Sequence, residues 1–225
     1  MNRHQLLDTA TIPDNGGELR LYQAGDDFVI KIAGGIGGDL MSTRQHGSED
    51  ALAEIACKKI AQRPQPRVLI GGLGMGFTLA SALRHLGSKA EVVVAELVPA
   101  VVAWNRGVVG QKAGHPLLDP RASVHEVDVA VLLKAEKQGY DAILLDVDNG
   151  PAGLSRKDND WLYAMEGLDC CRQALRPKGV LAVWSAGPDR RFTERLKKSG
   201  FRVEELQVHA HGKKGTRHTL WMATI

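Results

Sequence analysis

A buried strand that runs directly into a glycine-rich turn constrains the fold of this chain most. Residues 67–76 read Arg-Val-Leu-Ile-Gly-Gly-Leu-Gly-Met-Gly, and Glu96 closes a second apolar strand twenty residues after Gly76. Gly72, Gly74 and Gly76 allow a tight turn whose backbone lies against a ligand, and a carboxylate at the tip of the next strand can accept both hydroxyls of a ribose. The pattern predicts a nucleotide or nucleoside pocket. An ordinary strand-to-helix connection is the alternative.

Composition limits both the size of the protein and its partners. The chain has 225 residues and is 44% hydrophobic, which is enough for one well-buried core and rather short for two. A net charge of +3 arises from 29 basic and 26 acidic residues that are interspersed. Such mixed charge gives no broad field for phosphate backbones, so we expect no nucleic acid partner.

Cysteine usage and hydropathy bear on the compartment. The three cysteines are Cys57, Cys170 and Cys171, an odd number with two adjacent, which suits a disulfide framework poorly. Residues 1–8 lack the basic start and apolar run of a signal peptide, and no segment reaches about 18 uninterrupted apolar residues. We therefore expect a cytoplasmic protein that does not enter a membrane.

The first part of the chain predicts a small β appendage over residues 1–40. Two β-rich runs at 19–23 and 28–32 flank residues 24–27, which is typical of a hairpin with a four-residue turn. A helical pattern follows with Ser48 as its expected N-cap. The remainder, residues 41–225, is predicted to form one α/β domain.

From Arg67 onward, apolar strand segments alternate with helical patterns, which predicts a doubly wound, mostly parallel, Rossmann-like sheet covered on both faces. The predicted strands are 68–70, 92–95, 123–127, 142–145 and 180–184. The last two, 201–208 and 218–224, are joined by a turn rich in His, Gly and Lys and are expected to be antiparallel neighbours at the sheet edge. We expect that turn to be solvated rather than to bind a metal.

Open sheets of this type bind ligands beyond the carboxyl ends of their strands, and several acidic residues fall there. Asp128 follows the third strand, where it can accept a proton from the exocyclic amine of a purine or cap the helix that starts at Val129. Asp146 and Asp148 follow the fourth strand and point to the same side, and close like charges raise the pKa of one of them. Such a pair suits binding or deprotonating an amine, and a polar turn capped by Asp146 is the alternative.

These segments together resemble the spermidine synthase family, within the class I S-adenosylmethionine-dependent methyltransferase fold. Residues 67–151 carry the best match, and residues 41–49 and 150–163 also resemble family segments. The resemblance implies a seven-stranded sheet. It also implies a glycine loop that contacts the donor, Glu96 on the ribose, Asp128 on adenine, and the acid-bearing loop at Asp146.

The activity implied by the resemblance is transfer of an aminopropyl group from decarboxylated S-adenosylmethionine to a small-molecule amine, with no metal ion. In this hypothesis Asp146 deprotonates or orients the acceptor amine, and Asp148 and Asn149 help to bind it. Family members are commonly dimeric, so a homodimer is expected.

Two departures from the family pattern leave other functions open. The family's glycine loop usually contains an aspartate where this chain has Gly74 or its neighbours, and Asn149 replaces an aspartate of the fourth-strand loop. One alternative is an S-adenosylmethionine-dependent methyltransferase acting on a small amine or hydroxyl compound. Another is a nucleoside-binding module without catalytic activity.

The segment before the first long helix supplies two further candidates, Gln45 and His46. This segment could fold over the ligand pocket, where both residues would contact the substrate. His46 has an ordinary pKa near neutrality and could move a proton. A surface histidine without a role is the alternative.

Overall fold

The computed structural model describes residues 4–13, 16–34, 40–147, 151, 160–211 and 214–225. Their helices are α1 (Gly47–Lys59), α2 (Phe77–His85), α3 (Pro99–Arg106), α4 (Val129–Ala135), α5 (Asp160–Tyr163), α6 (Met165–Ala174) and α7 (Arg190–Lys198). Their strands are β1 (Gln5–Thr11), β2 (Glu18–Ala24), β3 (Asp27–Ile32), β4 (Met41–Ser42), β5 (Arg67–Gly71), β6 (Glu91–Ala95), β7 (Ala122–His125), β8 (Tyr140–Leu145), β9 (Leu175–Ser185), β10 (Arg202–His211) and β11 (Lys214–Thr224).

The main sheet has seven strands in the order β10-β11-β9-β8-β5-β6-β7. Strands β5 to β9 pair in parallel, whereas β11 is antiparallel to both β9 and β10. The predicted doubly wound, mostly parallel sheet with an antiparallel edge hairpin is thereby confirmed. Because the chain passes from β5 to β6 on one side and later returns to β8 on the other, strand order reverses at the carboxyl end of β5.

Apolar runs explain why these segments form central strands. Strands β5, β6 and β8 consist almost entirely of buried residues, as expected for strands covered by helices on both faces. One face packs into a core with α1 and α2, and the opposite face packs with α6 and α7. Fixed between two packed layers, the carboxyl ends of these strands hold their side chains in defined positions.

The N-terminal segment forms a second, four-stranded antiparallel sheet in the order β1-β2-β3-β4. It contains the predicted hairpin, in which Ala24 pairs with Asp27. Strand β1, which the sequence analysis missed, pairs with β2, and β4 pairs with β3. Residues of β2 and β3 belong to the same hydrophobic cluster as residues of β5 and β6, so the small sheet packs onto the main one. The division of the chain at residue 40 stays a prediction, and β4 extends the small sheet to Ser42.

The start of α1 differs from the prediction that Ser48 is its N-cap. The helix begins at Gly47, and the capping position is His46, whose side chain makes no capping hydrogen bond. Ser48 lies inside the first turn, where its buried hydroxyl donates to Oε2 of Glu49 at 2.5 Å. No helix in the described part of the chain is long and apolar enough to cross a bilayer.

Candidate active site

The candidate site lies where the carboxyl ends of β5, β6 and β8 meet. The backbone ladder continues one residue beyond these strands: the Gly72 N–H donates to Ala95 O and the Asp146 N–H donates to Gly71 O, both at 2.9 Å. The Glu96 N–H similarly donates to His125 O at 2.9 Å. The glycine loop and the two acids are therefore held together by the sheet.

Two properties of the glycine loop require glycine: a positive φ, and too little space for a Cβ. Gly72 has a φ of 88°, and a Cβ built there would lie 2.3 Å from the backbone oxygen of Asp146. Gly76 has a φ of 84°, and its Cβ would lie 2.8 Å from Oδ1 of Asn105. The Asn105 amide donates to Gly74 O at 2.8 Å and so fixes the middle of the loop. A side chain at Gly72 would push the loop away from the backbone of Asp146, and one at Gly76 would strain the backbone and crowd the Asn105 amide that holds Gly74.

Glu96 is buried, and backbone donors surround its carboxylate. Leu73 N–H donates to Oε2 and Val98 N–H donates to Oε1, each at 2.8 Å. Burial raises the pKa of Glu96, while these N–H groups act in the opposite direction. Each carboxylate oxygen can accept a further hydrogen bond, so Glu96 can both brace the loop and bind a hydroxyl.

Asp128 caps helix α4 through Oδ1, which accepts from the Ala130 N–H at 2.8 Å. This observation confirms the capping role that the sequence analysis weighed. The carboxylate also lines the same cavity as Glu96, so its other oxygen can meet a ligand. The capping and ligand roles are therefore compatible.

Asp146 is the acid at the end of β8. Its Oδ2 accepts a hydrogen bond of 2.5 Å from the hydroxyl of Thr78, a buried residue in the first turn of α2. Removal from water raises the pKa of Asp146 from its ordinary value of 3.8 to about 6, and the Thr78 hydroxyl offsets part of this rise. At neutral pH the group is thus close to the point where it exchanges a proton.

Glu49 brings a second acid to Asp146 from the first turn of α1. Burial, followed by repulsion from Asp146, raises the pKa of Glu49 from its ordinary value of 4.5 to about 7. The Ser48 hydroxyl lowers it in part. From the sequence, Glu49 is expected only to belong to a segment that could fold over the ligand pocket. Its pairing with Asp146 was not predicted.

Three adjoining cavities surround these acids. The cavity beside the glycine loop, of about 130 Å³, is lined by Gly72, Glu96, Asp128 and Asp146, among others, and is called the nucleoside cavity after the ligand predicted for it. The acid cavity, of about 100 Å³, is lined by Glu49 and Asp146 and shares Gly74 with the nucleoside cavity. An outer cavity, of about 390 Å³, shares Glu49 with the acid cavity, and Asp146 is not among the described residues that line it.

The remaining predicted residues are placed differently. Gln45 lines the outer cavity. His46 is not among the described residues that line the three cavities; its ring stacks on Phe77 at 3.9 Å, and its Nδ1 lies 2.7 Å from Oδ2 of Asp50. The hydrogen bond to Asp50 raises the pKa of His46. Asp148 and Asn149 lie outside the described residues.

Two residues missed by the sequence analysis also line the acid cavity, Thr78 and Trp184. Trp184 is near the end of β9, where the rule that ligands bind at carboxyl ends could have identified it. Thr78 was identifiable only as a hydroxyl in the first turn after the glycine loop. Across the described ranges, no three His, Cys, Asp or Glu side chains are grouped closely enough to hold a metal ion.

Comparison with known families places this site in context. Residues 32–190 match the family model described as the spermine/spermidine synthase domain. A polyamine aminopropyltransferase of Streptomyces coelicolor is 35% identical over 128 residues, which cover 56% of this chain and 23% of that protein. Putrescine N-methyltransferase 1 of Nicotiana tabacum is 36% identical over 124 residues, covering 53% of this chain and 31% of that protein. The chain thus spans less than a third of the length of these two relatives.

Solved structures show the same fold. Spermidine synthase from Thermotoga maritima superposes with a TM-score of 0.77 at 19% identity, covering 98% of this chain and 72% of that one. An O-methyltransferase from Bacillus cereus superposes with a TM-score of 0.56 at 17% identity, covering 79% of this chain and 80% of that one. Both the two-sheet arrangement and the seven-stranded sheet therefore occur in known proteins.

Proposed function

The chain belongs to the spermine/spermidine synthase family, and from this membership and the geometry of the site we propose that it is an aminopropyltransferase. The donor would be decarboxylated S-adenosylmethionine and the acceptor a small amine. The observation that carries the proposal is the junction at Asp146, which lines both the nucleoside cavity and the acid cavity. An adenosyl sulfonium in the first cavity would present its alkyl carbon to an amine in the second.

The nucleoside cavity supplies the groups that an adenosyl moiety requires. Glu96 would accept the ribose hydroxyls, and Asp128 would accept from the adenine amino group. The glycine loop, with φ values of 88° at Gly72 and 53° at Gly74, would let the backbone lie against the donor. Each of these roles uses an oxygen or a surface that borders the cavity.

The reaction itself asks little of the protein beyond alignment, because a sulfonium is already an activated leaving group. The lone pair of the acceptor nitrogen would attack the aminopropyl carbon that is bonded to sulfur. The carbon–sulfur bond would break, its electron pair would go to sulfur, and 5'-methylthioadenosine would leave. Asp146 would receive the proton lost by the nitrogen, a role that its pKa of about 6 suits near neutral pH. Asp148 and Asn149 would help to hold the amine.

Location and assembly belong to the same proposal. A cytoplasmic site of action is supported by Cys57, Cys170 and Cys171, all of which are free thiols. A homodimer is supported by the family resemblance.

A second candidate function is methyl transfer to an amine from S-adenosylmethionine itself. Two observations favour it. Relatives named putrescine N-methyltransferase are 36% identical to this chain over 124 residues, and Gly74 stands in the loop where the resemblance expects an aspartate. Both reactions would use the same nucleoside cavity.

Incubation with each donor separately, with putrescine as acceptor, tests the proposal. Mass spectrometry should show 5'-methylthioadenosine and an aminopropylated amine with the decarboxylated donor alone. S-adenosylhomocysteine and a methylated amine would establish methyl transfer instead. Saturable binding of 5'-methylthioadenosine without any product across a panel of amines would favour an inactive module.

A further inference from the structure

The acid cavity has an unusual lining for a space of about 100 Å³. It contains two carboxylates, Glu49 and Asp146, and two aromatic residues, Phe77 and Trp184. Among the described residues that line it, none carries a positive charge. Carboxylates together with aromatic faces are the groups that recognise an organic cation, because ion pairing and cation–π attraction act together.

Internal hydrogen bonds leave most of this negative charge unused. Glu49 accepts from the Ser48 hydroxyl and Asp146 from the Thr78 hydroxyl, each at 2.5 Å. Two carboxylates have about four acceptor sites each, so several lone pairs remain for a ligand. Arg44 and His218 line the outer cavity with Glu49 but do not line the acid cavity.

We propose that Glu49 acts with Asp146 as a receptor for the primary ammonium group of an amine reactant, and that Glu49 thereby determines which reactants the site accepts. The receptor rests on the proposed function, since the reactants there are decarboxylated S-adenosylmethionine and an amine.

The position of Glu49 explains how the site can work with glycine at position 74. The acid cavity borders the glycine loop at Leu73 and Gly74, so a carboxylate entering from α1 reaches the same space. Unmodified S-adenosylmethionine would bring an α-carboxylate towards two existing carboxylates, which costs free energy through like-charge repulsion. The decarboxylated donor lacks that group, so Glu49 favours it.

Calorimetric titration of the full chain with three ligands tests the receptor. The ligands are 5'-methylthioadenosine, which has no aliphatic ammonium group, decarboxylated S-adenosylmethionine, which has both a nucleoside and an ammonium group, and putrescine, which has no nucleoside. Glu49→Gln should weaken at least one amine ligand about tenfold or more and leave 5'-methylthioadenosine within twofold. Loss for decarboxylated S-adenosylmethionine identifies the donor amine, and loss for putrescine identifies the acceptor.

Two further variants test whether the loss of affinity comes from the charge of Glu49. Glu54→Gln makes the same change on α1 at a partly exposed carboxylate that pairs with Lys58 and does not line the acid cavity, so it should bind all three ligands like the wild type. Glu49→Asp keeps the charge and should retain more amine affinity than Glu49→Gln. The preference for decarboxylated over unmodified S-adenosylmethionine should also narrow in Glu49→Gln.

The pH dependence separates a receptor from a purely structural role. The charge of Asp146 raises the pKa of Glu49 and the charge of His46 lowers it. Glu49 also lines the outer cavity together with Arg44 and His218. An ammonium ligand favours the ionised carboxylates, so wild-type amine affinity should rise from pH 6 to pH 8, and Glu49→Gln should flatten that rise.

If folded Glu49→Gln binds decarboxylated S-adenosylmethionine and putrescine with unchanged affinity, the proposal that Glu49 binds an ammonium group is wrong. If the wild type takes up neither adenosyl compound saturably, the proposed function fails, and the putrescine titration still decides whether Glu49 binds an ammonium group.

Discussion

The nucleoside cavity and the acid cavity, the two halves of the cleft at Asp146, differ in how their carboxylates are hydrogen-bonded. In the nucleoside cavity, Glu96 accepts two backbone N–H groups and Asp128 caps a helix, so both acids are built into the backbone. In the acid cavity, Glu49 and Asp146 each accept one hydroxyl and repel each other. Backbone N–H donors of the protein supply hydrogen bonds to Glu96 and Asp128. Because Glu49 and Asp146 repel each other, we expect a cation to bind between them.

This difference shows that position at a strand end does not by itself define the role of an acid. A carboxylate supplied with N–H donors shapes a pocket and presents its remaining lone pairs to neutral hydroxyls. Burial raises the pKa of Glu96 as well, so a raised pKa does not separate the two pairs. The difference is that Glu49 is also repelled by Asp146, and two neighbouring carboxylates bind a positive group. The following changes test that contrast.

Asp146→Asn should have the largest effect, on turnover. The amide cannot receive the proton of the acceptor amine, so we expect kcat to fall by about 10²–10⁴-fold. Affinity for 5'-methylthioadenosine, measured by calorimetry, should stay within threefold, since this ligand brings no aliphatic ammonium group to Asp146. A kcat within fivefold of wild type would remove Asp146 from this role.

Glu96→Gln should act on the other half of the cleft. Its amide nitrogen would face the N–H of either Leu73 or Val98, so a hydrogen bond is lost and a donor is left unpaired. We expect affinity for 5'-methylthioadenosine to fall by about 30-fold to 100-fold, with a loss of about 1–3 kcal/mol in the free energy of unfolding.

A matched control for this change lies on the same strand. Glu91, at the start of β6, pairs with Arg67 at 3.2 Å and is well exposed, so Glu91→Gln should alter neither quantity appreciably. Equal effects of the two substitutions would contradict the role given to Glu96.

Glu49→Gln should stabilise the protein above neutral pH. The folded state raises the pKa of Glu49 from 4.5 to about 7, so the folded protein binds a proton that the unfolded chain releases, and stability falls as pH rises between these values. Removing the charge should raise the free energy of unfolding at pH 8 by about 1–2 kcal/mol, and by nothing measurable at pH 4.

Urea denaturation at the two pH values measures this effect, with Glu54→Gln as the control on the same helix. A destabilised Glu49→Gln at pH 8 would show that the fold, rather than a ligand, uses the carboxylate.

Asp128 should give the smallest effect and separates two roles in one residue. Asp128→Asn keeps a side-chain oxygen for the Ala130 N–H, so stability should hold while adenosyl affinity falls by less than about tenfold. Asp128→Ala should in addition lose about 1 kcal/mol of stability, measured by thermal unfolding. Equal stability of the two variants would exclude the capping contribution.

The sequence predicts the part of this molecule that depends on local patterns. Apolar segments bounded by glycine-rich turns predicted all seven strands of the main sheet and placed Glu96, Asp128 and Asp146 at its carboxyl edge. Strand β1 was not predicted, because its residues are mostly exposed and its extended conformation depends on pairing with β2. The sequence placed Glu49 in a segment that could fold over the pocket but did not pair it with Asp146, because its position relative to Asp146 depends on how α1 packs on the sheet.

The contrast between the two halves of the cleft is tested most directly by counting protons during binding. Calorimetry at pH 6.5 in two buffers of different ionisation enthalpy gives the number of protons released when each ligand binds. We predict release of about one proton with decarboxylated S-adenosylmethionine, as Glu49 and Asp146 ionise around its ammonium group, and close to none with 5'-methylthioadenosine. The same proton count for both ligands would contradict it.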